Sequence, residues 1–114
     1  MSELNITADF IGKVPVGNLD FLIFEEGDGE RVYEEDKNGN GGRIGLCDYF
    51  NQSIYIHKGL KPQRKRRTLV HELTHAYLDA VFSYRERYTD EDVCDFMESH
   101  AFSIIETVNE IYPI

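Results

Sequence analysis

The second half of the chain repeats its apolar residues at helical spacing. Between Thr68 and Tyr84 they recur every three or four positions and fall on one stripe. That stripe consists of Leu69, Val70, Leu73, Ala76, Tyr77, Ala80, Val81 and Tyr84. Pro62 precedes it, where proline favours the start of a helix. A second repeat of this kind covers Asp90 to Tyr112 and is ended by Pro113, so the pattern predicts two helices.

The first half has the pattern of short strands separated by turns. A turn of acidic residues and glycines separates Leu19–Phe24 from Glu30–Glu34, which predicts a hairpin. Asp36–Gly42 contains three glycines and two asparagines and is predicted to be a mobile loop. Arg43–Cys47 follows as a strand, and Ser53–His57 alternates apolar and polar residues as a half-buried strand does. Strands followed by helices predict a fold of the α+β class.

The first predicted helix carries the sequence HExxH, from His71 to His75. Histidines four residues apart project from the same side of a helix and can hold a single zinc ion. Glu72 lies about 100° around the helix from His71, where it can act as general base towards water without binding the metal. We therefore expect one zinc ion per chain, held by the two histidines, with Glu72 as the catalytic base.

The histidine side of this helix is predicted to be covered by other parts of the chain. Leu78 and Phe82 fall on the same side as the two histidines, so that side carries apolar residues as well. A catalytic zinc ion also needs a third protein ligand. The second helix is the element that can both cover this side and supply the ligand.

Several residues of the second helix could be the third ligand. Asp90 falls among apolar positions of that helix, which is unfavourable for a carboxylate unless it is paired or bound to metal. Glu91 is the alternative ligand, and Glu98 and His100 lie on the flanks, where they could reach the edge of a site. Thr89 or Asp90 could instead be the N-cap, because the sequence there is close to a capping box.

Length and composition indicate one domain over residues 1–114, because 41% of the 114 residues are hydrophobic and can form a core. The formal net charge of −9 argues against a protein that coats nucleic acid or an anionic membrane. The sequence has no stretch that could span a bilayer and no secretory leader, so we expect a cytoplasmic location. Cys47 and Cys94 are far apart and are expected to be buried free thiols.

Lys61–Arg67 is a strongly basic run and the one patch that could meet nucleic acid. Positive charge at a helix start opposes the helix dipole, so the run does not serve helix stability. No aromatic stacking platform accompanies it and the total charge is negative, which makes direct nucleic-acid binding the weaker hypothesis. A solvated face, or a contact for the acidic first half, is the simpler interpretation.

The stretch from Arg66 to Ala76, together with Asp90 to Phe96, resembles the ImmA/IrrE family of metallo-endopeptidases. The similarity is greatest to the short members encoded by prophages and mobile elements. It implies that the two histidines of HExxH are zinc ligands, that the glutamate is the catalytic base and that Asp90 is the third ligand. The family usually has glutamate where this chain has Asp90, which keeps Glu91 open as an alternative.

The resemblance also implies a zincin-like fold, with a small twisted N-terminal sheet, the HExxH helix beneath it and the ligand-bearing helix after it. In that arrangement Ser53–His57 borders the cleft and an extended peptide could add to its edge. Tyr55 and His57 are then candidate substrate-binding residues, although His57 could equally be an exposed strand residue. The implied activity is zinc-dependent hydrolysis of a regulatory protein such as a phage-type, DNA-binding repressor. The alternative is a catalytically silent zinc-binding module for protein interaction.

Overall fold

The computed structural model describes residues 8–34, 42–82 and 87–114, which form four strands and two helices. Their bounds are β1 Ala8–Val16, β2 Leu19–Glu26, β3 Gly45–Asp48, β4 Ser53–His57, α1 Pro62–Ala80 and α2 Asp90–Ile111. This small α+β arrangement is of the class that the sequence predicts. Apart from Gly42, the predicted loop Asp36–Gly42 lies outside the described residues. Neither helix in the described ranges is long and apolar enough to cross a membrane.

The sheet is mixed and has the strand order β1-β2-β4-β3. The outer pairs are antiparallel, whereas β2 and β4 in the middle are parallel. Ile23 and Ile54 lie opposite each other on the two middle strands and are fully buried. Leu69 and Leu73 of α1 and Val108 of α2 belong to the same core, so both helices pack on this face of the sheet.

The predicted hairpin between Leu19–Phe24 and Glu30–Glu34 is wrong. β2 pairs instead with β1 through a tight turn in which Gly17 has a φ of 63°. The other side of β2 is occupied by β4, so no side of the strand remains for Glu30–Glu34. That segment contributes only an isolated bridge between Tyr33 and Arg43 among the described residues.

α1 buries much of its predicted apolar stripe against the sheet. Fully buried on it are Leu69, Leu73 and Ala76. Val70 and Val81, at the margin of the stripe, remain exposed. The helix ends at Ala80 rather than at the predicted Tyr84, and residues 83–86 lie outside the described part of the chain.

α2 has the predicted first residue and ends one residue before the predicted end. The backbone N–H of Asp92 donates to the Thr89 hydroxyl at 3.0 Å, and the Thr89 N–H donates to the Asp92 carboxylate at 2.9 Å. These two bonds form a capping box, which satisfies free N–H groups at the helix start. The capping motif is confirmed, and the N-cap is Thr89 rather than Asp90.

The buried face of α2 differs from the one that the pattern predicts. Its fully covered residues are Phe96, Ile104, Thr107 and Val108. On the helix this face is centred about 65° from Asp90 and close to His100. Asp90 is exposed, and Met97, near it on the same face, is 53% exposed. The expectation that Asp90 lies within a buried apolar face is therefore wrong, because α2 turns its aromatic side towards α1.

Glu25 of β2 joins the sheet to the ends of both helices. Its carboxylate accepts a hydrogen bond from the Tyr112 hydroxyl at 2.6 Å and lies 3.1 Å from Nζ of Lys65. The Arg66 guanidinium donates to the main-chain oxygen of Tyr112 and, at 2.8 Å, to Oδ1 of Asn109. Burial and the bond to Glu25 raise the pKa of Tyr112 well above its usual value. The contact of Lys65 with Glu25 confirms that part of the basic run meets the acidic first half.

Gly17 is a position where this fold needs glycine. Its φ is positive, and a Cβ there would lie 2.3 Å from Cγ1 of Val81, the residue at the C-terminal cap of α1. We expect Gly17→Ala to lower the free energy of unfolding by about 2 kcal/mol, since the left-handed backbone and the clash both act against alanine. Urea unfolding measures this loss.

Gly27→Ala is the matched control, because no atom lies within 4 Å of a Cβ at Gly27. We expect this variant to stay within about 0.5 kcal/mol of the wild type. Equal losses in the two variants would contradict the assignment of the β1–β2 turn.

Candidate active site

The HExxH turn occupies the middle of α1. The rings of His71 and His75 lie side by side, with centroids 4.9 Å apart and planes at 72°. Both histidines are exposed, whereas Glu72, next around the helix, is only 7% exposed. The turn thus places two imidazoles at the surface beside a buried carboxylate.

α2 meets the histidine side of α1 only near its end, at Phe82, so the expectation that α2 covers the two histidines is wrong. The ring of His100 on α2 packs 5.3 Å from the ring of Tyr77, and the ring of Phe96 packs 5.3 Å from that of Phe82. Tyr77 lies about 200° around α1 from His75, so α2 rests mainly on another side of the helix. The two histidines therefore remain open to solvent.

Glu72 lies against β3 at Gly45. A Cβ at Gly45 would come within 2.8 Å of Oε2 of Glu72 and 2.6 Å of Cγ2 of Thr68. Glycine is thus what permits α1 to approach the strand so closely. Burial raises the pKa of the Glu72 carboxyl, while the charges of His71 and Arg43 act in the opposite direction. A carboxylate with a raised pKa is a stronger base than an exposed one, which suits general-base work.

The histidine pair has the donor chemistry that zinc prefers. Partial burial, together with the neighbouring His71, lowers the pKa of His75 and favours its neutral form. Neutral imidazole is the form that binds a metal ion, and the spacing of the two rings allows both to reach one ion. Two of the three protein ligands of a catalytic zinc site can therefore come from this turn.

A groove of about 680 Å³ opens beside the HExxH turn. Its lining residues are Gly42, Arg43, Ile44, Gly45, Arg64, Arg67, Thr68, His71 and Glu72. One wall is the strand edge around Gly45, and the other is the N-terminal half of α1. The candidate base and one candidate zinc ligand therefore border a space large enough for several residues of a peptide.

β3 is an edge strand of the described sheet. The His57 N–H donates to the Ile44 carbonyl at 2.9 Å, so from Ile44 onward every second residue of this strand bonds to β4. The main-chain groups of Gly45 and Cys47 therefore point away from β4, and no described strand pairs with them. The main chain of Arg43 is paired with Tyr33 in the isolated bridge, so the unpaired stretch of the β3 edge begins at Gly45.

The expectation that a peptide adds to the edge of Ser53–His57 is wrong. β4 lies between β2 and β3 and has hydrogen-bonded neighbours on both sides. Its main chain is therefore already paired, and among the described strands it is β3 that offers an open edge next to the groove.

Tyr55 and His57 lie on the sheet face that points away from the helices, because residues alternate along β4 and Ile54 and Ile56 face the core. Tyr55 stacks on Phe24 with ring centroids 5.2 Å apart. His57 is 3% exposed, so its description as an exposed strand residue is wrong. The substrate-binding role of Tyr55 and His57 stays a prediction, and their position on the far face gives it no support.

His57 belongs to a group that the sequence did not suggest. Ligand atoms of Asp28, Glu34 and His57 lie within 4.8 Å of one another, and within the described ranges no other three metal-ligating side chains come as close. Nε2 of His57 is 2.7 Å from Oδ1 of Asp28, which also accepts the Glu34 N–H at 3.0 Å. The bonds from His57 and the Glu34 backbone hold the pKa of Asp28 below its usual value. No sequence signal links residues so far apart in the chain.

Hydrogen bonding around His57 argues against a metal ion in this group. The Gly59 N–H donates to Nδ1 of His57 at 2.9 Å, so the neutral ring carries its proton on Nε2 and donates it to Asp28. In that tautomer Nε2 has no free lone pair for a metal. The group instead fastens the 28–34 segment to the end of β4.

The candidates for the third ligand lie on α2. Asp90 and Glu91 are exposed in its first turn, Glu98 is exposed further along, and His100 packs among aromatic rings. Among the described residues, none of them forms with the two HExxH histidines a group of ligand atoms within 4.8 Å. Ligation by Asp90 or Glu91 stays a prediction. It requires the carboxylate to lie closer to the two HExxH histidines than it does in this structure.

The two cysteines differ in their surroundings. Cys94 is exposed, so the expectation of a buried thiol is wrong for it, whereas Cys47 is partly buried. Burial, together with the negative charges of Glu72, Asp79 and Asp48, raises the pKa of Cys47 to about 12. Cys47 is thus an unreactive thiol on β3, with acidic residues near its end of the strand.

A helix with HExxH beside a mixed sheet and an open strand edge is typical of metallopeptidases. The family model for Peptidase_M78, described as the IrrE N-terminal-like domain, matches residues 24–95. This match spans more than half of the chain, which therefore belongs to the Peptidase_M78 family of ImmA/IrrE metallopeptidases. Membership implies peptidase activity, protein substrates and dependence on a metal ion. No match was found among the curated proteins or the solved structures.

Proposed function

We propose that the chain is a zinc-dependent endopeptidase that acts on a regulatory protein such as a phage-type repressor. The observation that carries the proposal is the position of Glu72, buried against Gly45 at a groove that the exposed His71 also borders. The family match supports the reaction class. The repressor is the substrate that the ImmA/IrrE resemblance suggests.

His71 and His75 would hold the zinc ion, with Asp90 as the third ligand and Glu91 as its alternative. Because Thr89 and Asp92 form the capping box, the Asp90 carboxylate is not needed for capping. It is exposed at the first residue of α2 and is therefore available to a metal ion. Zinc bound there would supply a Lewis acid that polarises the scissile carbonyl.

Glu72 would move the protons of the reaction. Its carboxylate takes a proton from the attacking water, whose oxygen bonds to the carbonyl carbon of the substrate. It then gives that proton to the amine nitrogen as the carbon–nitrogen bond breaks. Because Gly45 has no side chain, the carboxylate fits beside the strand at the groove, where both transfers would take place.

An extended substrate would pair with the edge of β3. The outward main-chain groups of Gly45 and Cys47 supply one donor and one acceptor each, which is the pattern that an added strand requires. Glu72 lies directly beside Gly45, so a peptide bonded there passes the catalytic base.

Zinc content tests whether the HExxH histidines or the group of Asp28, Glu34 and His57 holds the metal ion. We expect the purified protein to contain about one zinc ion per chain, and His71→Ala to reduce this to near zero, because a catalytic site cannot spare one of two imidazoles. Elemental analysis after exhaustive buffer exchange measures it.

Asp28→Asn is the matched control for zinc content, since it removes a carboxylate from the other cluster and should leave the zinc in place. If Asp28→Asn lost the ion and His71→Ala kept it, the assignment of the metal site to α1 would be refuted.

Glu72→Gln tests catalysis separately from metal binding. We expect this near-isosteric change to reduce cleavage of a quenched fluorescent peptide library by at least about 100-fold, because the general base is lost. Zinc content and melting temperature should stay close to the wild-type values. A Glu72→Gln variant that cleaves as fast as the wild type contradicts the proposed role, and a zinc-loaded wild type that cleaves nothing contradicts the enzyme itself.

A further inference from the structure

The groove beside the HExxH turn is basic in a chain whose net charge is −9. Three arginines, Arg43, Arg64 and Arg67, line it, and Glu72 is the single carboxylate among the described residues that line it. Glu72 is buried, whereas the three arginines are exposed, so the positive side chains are the ones that a ligand meets first. This local charge is opposite to that of the whole molecule.

None of these arginines forms an ion pair with a carboxylate of residues 8–34, 42–82 or 87–114. The Arg43 guanidinium donates to the main-chain carbonyls of Arg31 at 2.7 Å and Glu30 at 2.8 Å, and these two bonds fix its position. Arg64 and Arg67 are exposed, and no carboxylate of the described residues forms an ion pair with either. Within the described part of the chain, no carboxylate therefore competes with a ligand for these three charges.

The basic residues of the run face two different sides of α1. Lys65 and Arg66 point towards Glu25 and Tyr112 and hold the fold together. Arg64 and Arg67 are three residues apart and follow the same side of α1 towards His71. The positive charge at the groove therefore comes from Arg64 and Arg67, and the contacts of Lys65 and Arg66 do not account for it.

The start of α1 is a poor place for these cations if stability alone is considered. The first turn contains no acidic residue, and the N-cap Lys61 makes no side-chain capping bond. Positive charge near a helix N-terminus is unfavourable because it opposes the helix dipole. A second depression of about 380 Å³ shares Ile44 and Arg64 with the groove, and both Lys61 and the carboxylate of Glu34 line it, so the uncompensated positive charge is confined to the groove itself.

We propose that this arginine groove selects acidic side chains in an extended polypeptide substrate, on one side of the scissile bond. The inference rests on the proposed peptidase function and names the substrate class of that site. Guanidinium groups bind carboxylates through paired hydrogen bonds, which gives direction as well as charge. Towards the other end of the β3 edge, at Cys47, the negative charge of Asp79 would repel an acidic side chain of the substrate.

The spacing along α1 fixes where the acidic side chains should be. At a rise of about 1.5 Å per residue, Arg67 is about 6 Å and Arg64 about 10 Å along the helix from His71. An extended peptide advances about 3.3 Å per residue, so these distances correspond to two and three residues from the scissile bond. A polyanion such as DNA fits less well, since the whole chain repels it.

Peptide cleavage tests this selection. Peptides of one sequence carry Glu or Gln at the second and third positions on either side of the cleaved bond, and kcat/KM is measured with the zinc-loaded protein. We expect Glu to be preferred about tenfold over Gln on one side only. We expect Arg67→Glu to remove that preference while leaving the Gln peptides nearly unaffected.

Lys13→Glu is the control for charge, because it makes the same change on β1, at the opposite edge of the sheet. It should keep the preference for Glu. Equal cleavage of Glu and Gln peptides by the wild type, or equal loss in the two variants, would overturn the inference while leaving the peptidase function standing.

Peptide binding tests the preference for acidic side chains without requiring cleavage. Fluorescence anisotropy with labelled Glu and Gln peptides measures affinity for the metal-free wild type, Arg67→Glu and Lys13→Glu. Tighter binding of the Glu peptide that only Arg67→Glu abolishes supports the acidic specificity even if the peptidase function fails. A DNA oligonucleotide of equal charge that binds more tightly than the Glu peptide would overturn the proposal in favour of nucleic acid.

Discussion

The contact between Glu72 and Gly45 is the constraint on which the rest of the site depends. It requires a strand residue without a side chain, since a Cβ would lie 2.8 Å from the carboxylate. Because Glu72 belongs to the HExxH turn, the same contact sets where the two histidines face solvent. It also places the open edge of β3 next to the candidate base, so one close approach of helix and strand creates both the groove and its chemistry.

Charge is distributed unevenly because α1 uses its basic run in two ways. Lys65 binds Glu25 and Arg66 binds Tyr112, and these contacts connect the start of α1 to the sheet and to the end of α2. Arg64 and Arg67, on another side of the same turns, stay exposed at the groove. An acidic protein can therefore present a locally basic cleft to a substrate.

Local patterns in the sequence predict the helices well and the sheet poorly. The spacing of apolar residues and the capping motif at Thr89 locate α2 almost to the residue, because both signals lie within one helix. Strand partners depend on contacts distant in sequence, so the pairing of β2 with β1 and the central position of β4 could not be predicted. The HExxH motif located the candidate ligands and base, but not the contact with Gly45 that buries the base.

Two errors at the site have the same origin. A helical wheel ranks the faces of an isolated helix, but it does not say which face meets a neighbour. α2 turns Phe96 and His100 towards α1, which leaves Asp90 and the two HExxH histidines exposed. The burial of His57 is not visible in the sequence for a related reason, since its partner Asp28 is 29 residues away and only the folded chain brings the two together.

X-ray absorption at the zinc edge identifies the ligands of the metal ion itself. For zinc held on α1, we expect two imidazoles and only nitrogen and oxygen donors at about 2.0–2.1 Å. His75→Ala should give no zinc spectrum, because the site loses one of its two imidazoles and with it the ion. A sulfur scatterer at about 2.3 Å, or a spectrum that His75→Ala leaves unchanged, would contradict the assignment of the metal centre to the HExxH turn.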